Sequence, residues 1–125
     1  MHVELTLDVN DPSLMIAFWS AVLGYVVEDE QRFTVEETRI YWSLVDPAGR
    51  DPRLVIQRVP EPVTAKARVH IDVHVPDIEA AAHDAVTLGA VRLDEAPITE
   101  VGTAWIRMED PEGNVFCFVR DRRDT

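Results

Sequence analysis

The sequence predicts an α+β fold in which one unit, a strand, a helix and then three strands, occurs twice along the chain. Three observations carry this. Two stretches, "MHVELTLDV" at Met1 to Val9 and "RVHIDVHV" at Arg68 to Val75, alternate apolar and polar residues with the period of a half-buried strand. Each is followed by a segment with helix start and stop signals. Each half then closes on an Asp-Pro-x-Gly turn before its last strand, Asp46 to Gly49 in the first and Asp110 to Gly113 in the second.

In the first unit, Val3, Leu5, Leu7 and Val9 share one face of the opening strand, with His2, Glu4, Thr6 and Asp8 on the other. The helix takes Asp11 as N-cap, Pro12 at its first position, Leu14, Ala17, Phe18 and Ala21 at helical spacing, and Gly24 as its stop. Strands are expected near Tyr25 to Asp29, Arg39 to Val45 and Arg53 to Val59. In the second unit "RVHIDVHV" is the strand, and "DIEAAAHDAVTLG" is a helix capped by Asp77 and stopped by Gly89. Strands follow near Ala90 to Leu93, Thr103 to Glu109 and Val115 to Arg120. Aligning Val75-Pro76-Asp77 with Val9-Asn10-Asp11 sets His70 on Glu4. The modules then read 1–59 and 69–120, joined by a linker at 60–68 and followed by a tail at 121–125.

A chain of 125 residues that is 46% hydrophobic and 28% charged supports the core of one ordinary domain, with the two modules as its halves. A formal net charge of −11 repels phosphate backbones and anionic membranes, and Asp121 and Asp124 dilute the basic cluster of Arg120, Arg122 and Arg123. Nucleic acid is therefore not an expected partner. No run approaches the length of a membrane span or a secretion signal, so no membrane association is expected and the expected compartment is the cytoplasm. The single cysteine, Cys117, makes no intrachain disulfide and fits a reducing environment.

Parity sorts the strands into a helix side and an open side. Val3, Leu5, Leu7 and Val9, with Val69, Ile71, Val73 and Val75, fall toward the helices, as do Ile40, Trp42, Leu44, Leu54 and Ile56. Ala104, Ile106, Met108, Phe116 and Phe118 join them. The open side takes Glu4, Tyr41, Ser43 and Gln57 from the first unit, and His70, Asp72, His74, Trp105, Arg107 and Cys117 from the second. A polar sheet face rolled into a cleft is an ordinary location for a small-molecule site.

Three stretches in order, Asn10-Asp11-Pro12 with Phe18-Trp19 and Leu23-Gly24, then "KARVHIDVHV", then "EDPEGNVFCFV", resemble the vicinal oxygen chelate superfamily. The likeness is to its glyoxalase-like, bleomycin-resistance-related members. It implies two βαβββ modules that curl into an incomplete eight-stranded barrel around a cleft, assembled as a homodimer. It also implies a metal site with one ligand on the first and one on the last strand of each module, which here are Glu4, Gln57, His70 and Cys117. Glu4 and His70 suit zinc, nickel, manganese or iron, whereas Gln57 and Cys117 depart from the glutamates usual in metal-using relatives.

Two function classes follow. One is an enzyme, a lyase or isomerase of the glyoxalase type, in which the metal chelates neighbouring substrate oxygens, Glu4 is the general base and His70 holds the ion. A ring-cleaving dioxygenase is the least supported variant, because iron there favours two histidines and a carboxylate and only His70 stands in a ligand slot. The other is a metal-free binding module resembling drug-sequestering resistance proteins, favoured by the departures at Gln57 and Cys117. In both, the ligand is a small oxygen-rich or aromatic molecule in the cleft between the modules. Tyr41 and Trp105 would stack on it, Arg107 would pair an anionic group, and Gln57, Asp72 and His74 would supply polar contacts. A regulatory or assembly role is a third, weaker class.

Overall fold

Aspartates fix where both helices begin. Asp11 is extended and its carboxylate accepts from the Leu14 N–H at 3.2 Å, so that α1 runs Pro12–Leu23 with proline at its start. It ends at Gly24, whose φ of 68° is the left-handed turn that glycine adopts without strain. Asp77 repeats the cap for α2, Ile78–Thr87, accepting from the Ala80 N–H at 3.0 Å. The chain leaves α2 through Leu88 and Gly89. A Cβ on Gly89 would crowd Pro111 at 3.3 Å, and its φ of 107° is one that glycine adopts without strain.

The computed structural model describes residues 1–28 and 40–122. The expected strand ends at Asp29 and Arg39, and tail residues 123–125, lie outside them. The chain divides into two compact units, Met1–Pro62 and Val63–Thr125. In the first, β1 (Leu5–Val9), α1, β2 (Val26–Val27), β3 (Tyr41–Val45) and β4 (Leu54–Arg58) give a sheet ordered β1-β4-β3-β2, parallel between β1 and β4 and antiparallel elsewhere. In the second, β5 (Ile71–His74), α2, β6 (Val91–Arg92), β7 (Ile98–Glu100), β8 (Thr103–Glu109) and β9 (Val115–Asp121) give the order β5-β9-β8-β6, with β7 also on β8. The predicted α+β class and the repeated element order hold, and neither mixed sheet closes on itself.

The ninth strand is a departure. β7 has only three residues after Pro97 and joins β8 through Val101 and Gly102, both at positive φ (22° and 77°). Such two-residue turns usually carry Asn-Gly, and a valine in that place removes the signal from the sequence.

Parity holds where the helices cover the sheets. α1 packs on β4, and Met15, Phe18 and Trp19 are buried with Leu44, Leu54 and Ile56. α2 packs on β9, β8 and β6, and Ile78, Ala82 and Ala85 are buried with Ile106, Phe116 and Phe118. The phase of α1 differs from the expected one: Met15 and Trp19 turn inward beside Phe18, while Leu14, Ala17 and Ala21 are exposed. Its sequence is apolar on nearly every side, so composition leaves the inward face open and packing selects the larger side chains. The opening strands also differ in part. Val9 is buried, yet Val3, Leu5 and Val69 are exposed, as is Ile40 just ahead of β3. β1 and β5 are edge strands of their sheets, and α1 packs mainly on β4 and β2 and α2 on β9, β8 and β6.

The two Asp-Pro turns share a device. Asp46 accepts from the N–H groups of Ala48, Arg50 and Asp51, which hold its carboxyl below the usual carboxylate range. Asp110, 1% exposed, accepts from the N–H groups of Glu112 and Asn114 and from the Asn114 side chain. Among the described residues no helix is long and apolar enough to cross a membrane.

Candidate functional site

The side of the second sheet away from α2 carries its chemistry. The ladders set Asp72 of β5 opposite Cys117 of β9, and Cys117 opposite Arg107 of β8. One row along, His74, Val119 and Trp105 line up in the same way. His70, just ahead of β5, completes the first row: its Nδ1 lies 3.0 Å from Asp72 Oδ1. With the Nδ1–H donated to that carboxylate, Nε2 keeps its lone pair, the arrangement that orients a metal-binding imidazole. Donor atoms of His70, Asp72 and Cys117 all lie within 4.8 Å of one another.

Burial separates the three. His70 and Asp72 are half exposed, while Cys117 is 5% exposed. Burial pushes the Cys117 thiol up to about 11, and the Asp72 charge and a hydrogen bond with Asp72 push in the same direction. A divalent cation would reverse that bias, because a coordinating thiol gives up its proton to the ion. The donor set therefore fits a metal: nitrogen, oxygen and sulfur ligands with a further position for a water or substrate oxygen are a zinc-like set.

Arg107 is held in place on this face. It donates to Asp94 through Nη2 at 2.7 Å and Nε at 3.0 Å, and its own backbone N–H reaches the same carboxylate at 2.9 Å. These bonds hold the Asp94 carboxyl below the usual range. Asp94 is positioned in turn by Arg92, which grips Glu79 of α2 at 2.7 and 3.1 Å and donates to the carbonyls of Asp94 and Glu95. Asp94 and Arg92 were not singled out by the sequence. Both follow α2 within a few residues; the ladder pairs Arg92 with Met108, and the hydrogen bonds of Asp94 are what bring it to Arg107.

The remaining expected site residues stand in the first unit. Gln57 lies opposite Tyr41 and donates to its hydroxyl at 3.3 Å. Glu4 precedes β1 and its carboxylate lies 3.8 Å from Arg53, which also pairs with Glu28 at 3.2 Å. The ladder sets Gln57 opposite Asp8, so Glu4 and Gln57 sit at different heights of this sheet. The ladders also refine the repeat. Leu5 pairs with Leu54 as Ile71 pairs with Phe116, so Val55 corresponds to Cys117, and Gln57 corresponds to Val119. Tyr41 corresponds to Trp105, which keeps one aromatic residue at the same place in each unit.

Comparison with known proteins agrees with this architecture. The family model of the glyoxalase-like domain matches residues 4–119. No protein of curated function matches the chain. Among solved structures, a glyoxalase/bleomycin resistance protein/dioxygenase family enzyme from Burkholderia phytofirmans PsJN is 19% identical, with 94% of this chain and 95% of that one covered and a TM-score of 0.71. TioX from Micromonospora sp. ML1 is 21% identical, with 96% and 98% covered and a TM-score of 0.68. A mutant of the fosfomycin resistance protein FosX from Listeria monocytogenes, complexed with Mn(II) and 1S,2S-dihydroxypropylphosphonic acid, is 14% identical, with 92% and 85% covered and a TM-score of 0.70. At these identities the structures establish the fold, and the family match spans nearly the whole chain. The chain belongs to the glyoxalase-like family.

Proposed function

We propose that this protein binds a small oxygen-rich molecule on the polar face of its second sheet, at a divalent cation held by His70, Asp72 and Cys117. The observation that carries the reading is the meeting of three different donor atoms within 4.8 Å on that face. A sulfur donor favours zinc over the oxygen-seeking ions. The Mn(II) in the FosX neighbour supports metal use within the fold. When bound, such an ion polarises neighbouring substrate oxygens as a Lewis acid. The chain's own residues supply the rest. Asp72 orients the His70 ring, burial shields Cys117 from water, and Trp105 and His74 border the row where a planar group would lie. Glu4, Tyr41 and Gln57 stand in the first unit, and binding of the ion is expected to be independent of them. Elemental analysis of protein purified without a metal-affinity tag tests the reading. Close to one equivalent of metal is expected, lost in Cys117→Ser and His70→Ala and retained in Glu4→Gln. Metal-free protein, or metal content indifferent to Cys117 and His70, would refute it.

One observation favours a second reading, a metal-free binder that sequesters a small aromatic molecule. With its thiol pushed up to about 11, Cys117 is protonated at neutral pH and is then an apolar wall rather than a ligand. That reading predicts an aromatic ligand that alters Trp105 emission in metal-free protein, with the response lost in Trp105→Phe. A cytoplasmic location and homodimeric assembly belong to the same proposal. Light scattering that shows only the 14.1 kDa of one chain would count against the dimer.

A further inference from the structure

The segment leading into His70 reverses the charge of the molecule. The chain carries a net charge of −11, yet between Glu61 and Asp72 the only ionisable side chains are Lys66, Arg68 and His70. These three, with Ala67, line a surface hollow of about 570 Å³ in the second unit. Among the described residues, neither Lys66 nor Arg68 is paired with a carboxylate, whereas Arg53, Arg92 and Arg107 each are. His70 belongs both to this hollow and to the donor group with Asp72 and Cys117.

We propose that the molecule bound at His70, Asp72 and Cys117 is a small organic anion, whose carboxylate or phosphate head lies in the hollow against Lys66 and Arg68 while its neighbouring oxygens face the donor group. The inference rests on the binding reading above and names the class of ligand. Its chemistry is a matter of sign. A surface rich in carboxylates repels anions at long range, so a ligand anion is admitted beside Lys66 and Arg68, which among the described residues no carboxylate pairs. Arg107 does not meet this need, because Asp94 already occupies its guanidinium in a two-pronged contact. Lysine and arginine on the approach to a site act mainly on encounter and on the choice of ligand.

A titration of the purified protein with malate, phosphoglycolate, dimethyl malate and inorganic phosphate tests this, followed by amide shifts of residues 66–74 and by Trp105 emission. At least one of the two organic acids is expected to shift Lys66, Arg68 and His70 together. It should weaken about tenfold in the Lys66→Ala/Arg68→Ala variant, lose affinity as salt rises, and bind more tightly than the ester or phosphate. Lys66→Arg should retain the binding. An ester that binds as tightly as its acid, or an acid indifferent to the double variant, would overturn the anionic class, and phosphate that matches both acids would overturn the organic part with its neighbouring oxygens, while shifts at His70 and Asp72 left the underlying site standing. No shift at His70, Asp72 or Trp105 with any probe would overturn both.

Discussion

At the scale of single residues, the account turns on Cys117. Burial, and after it the neighbouring Asp72 charge, push its thiol from an ordinary value of 9.0 up to about 11. A group whose pKa is raised on folding leaves stability intact below its unfolded value and loses it as the pH climbs toward the folded one. Stability should therefore fall by about 2 kcal/mol between pH 9 and 11 on account of this group, and Cys117→Ala should remove that part of the decline. Chemical denaturation at a series of pH values, with a chelator present, measures it. An ultraviolet thiolate titration with a midpoint near 9 would contradict the burial argument. Arg107 offers the converse case. Its hydrogen bonds hold the Asp94 carboxyl low, so Arg107→Met should let Asp94 titrate higher, as carbon-detected NMR would show. Most members of the polar row were legible from alternation, because β-strand parity needs no knowledge of partners. Asp94 was not, because its role depends on which residue of β8 it meets.

At the scale of elements, the helix ends were the most legible features, since Asp11, Pro12, Gly24 and Asp77 act on their own neighbours in sequence. The inward face of α1 was not, because it is decided by what β4 presents. The observed phase is open to test. Trp19→Ala should cost about 4 kcal/mol by emptying a buried site, whereas Leu14→Ala on the exposed side should cost well under about 1 kcal/mol. Equal losses would contradict the phase. The β7–β8 turn holds Val101 at a φ of 22°, where a β-branched residue is strained. Val101→Asn should raise stability by about 1 kcal/mol, and a thermal melt would register it. The Asp-Pro turns were read as turns, but their difference in burial was hidden. Asp110→Ala should destabilise by about 3 kcal/mol through loss of a buried, multiply bonded carboxylate, and by more than Asp46→Ala does.

At the scale of the whole molecule, the duplication was visible because each unit repeats the same caps and turns in the same order. The residue-to-residue correspondence was less so. Two extra residues in the Asp46 turn shift β4, so Val55 rather than Gln57 answers to Cys117, and only the hydrogen-bonded ladders reveal it. The chemistry is therefore unequal between the units: the second brings three donor atoms together, while the first ties Gln57 to Tyr41 and Glu4 to Arg53. The claim that His70, Asp72 and Cys117 form one metal-binding, ligand-binding site is tested most directly by cobalt(II) titration of the metal-free protein. One equivalent should give the intense visible bands of a four-coordinate ion and a near-ultraviolet sulfur-to-cobalt charge-transfer band that disappears in Cys117→Ser. The faint spectrum of hydrated cobalt, unchanged between the native chain and that variant, would contradict the account.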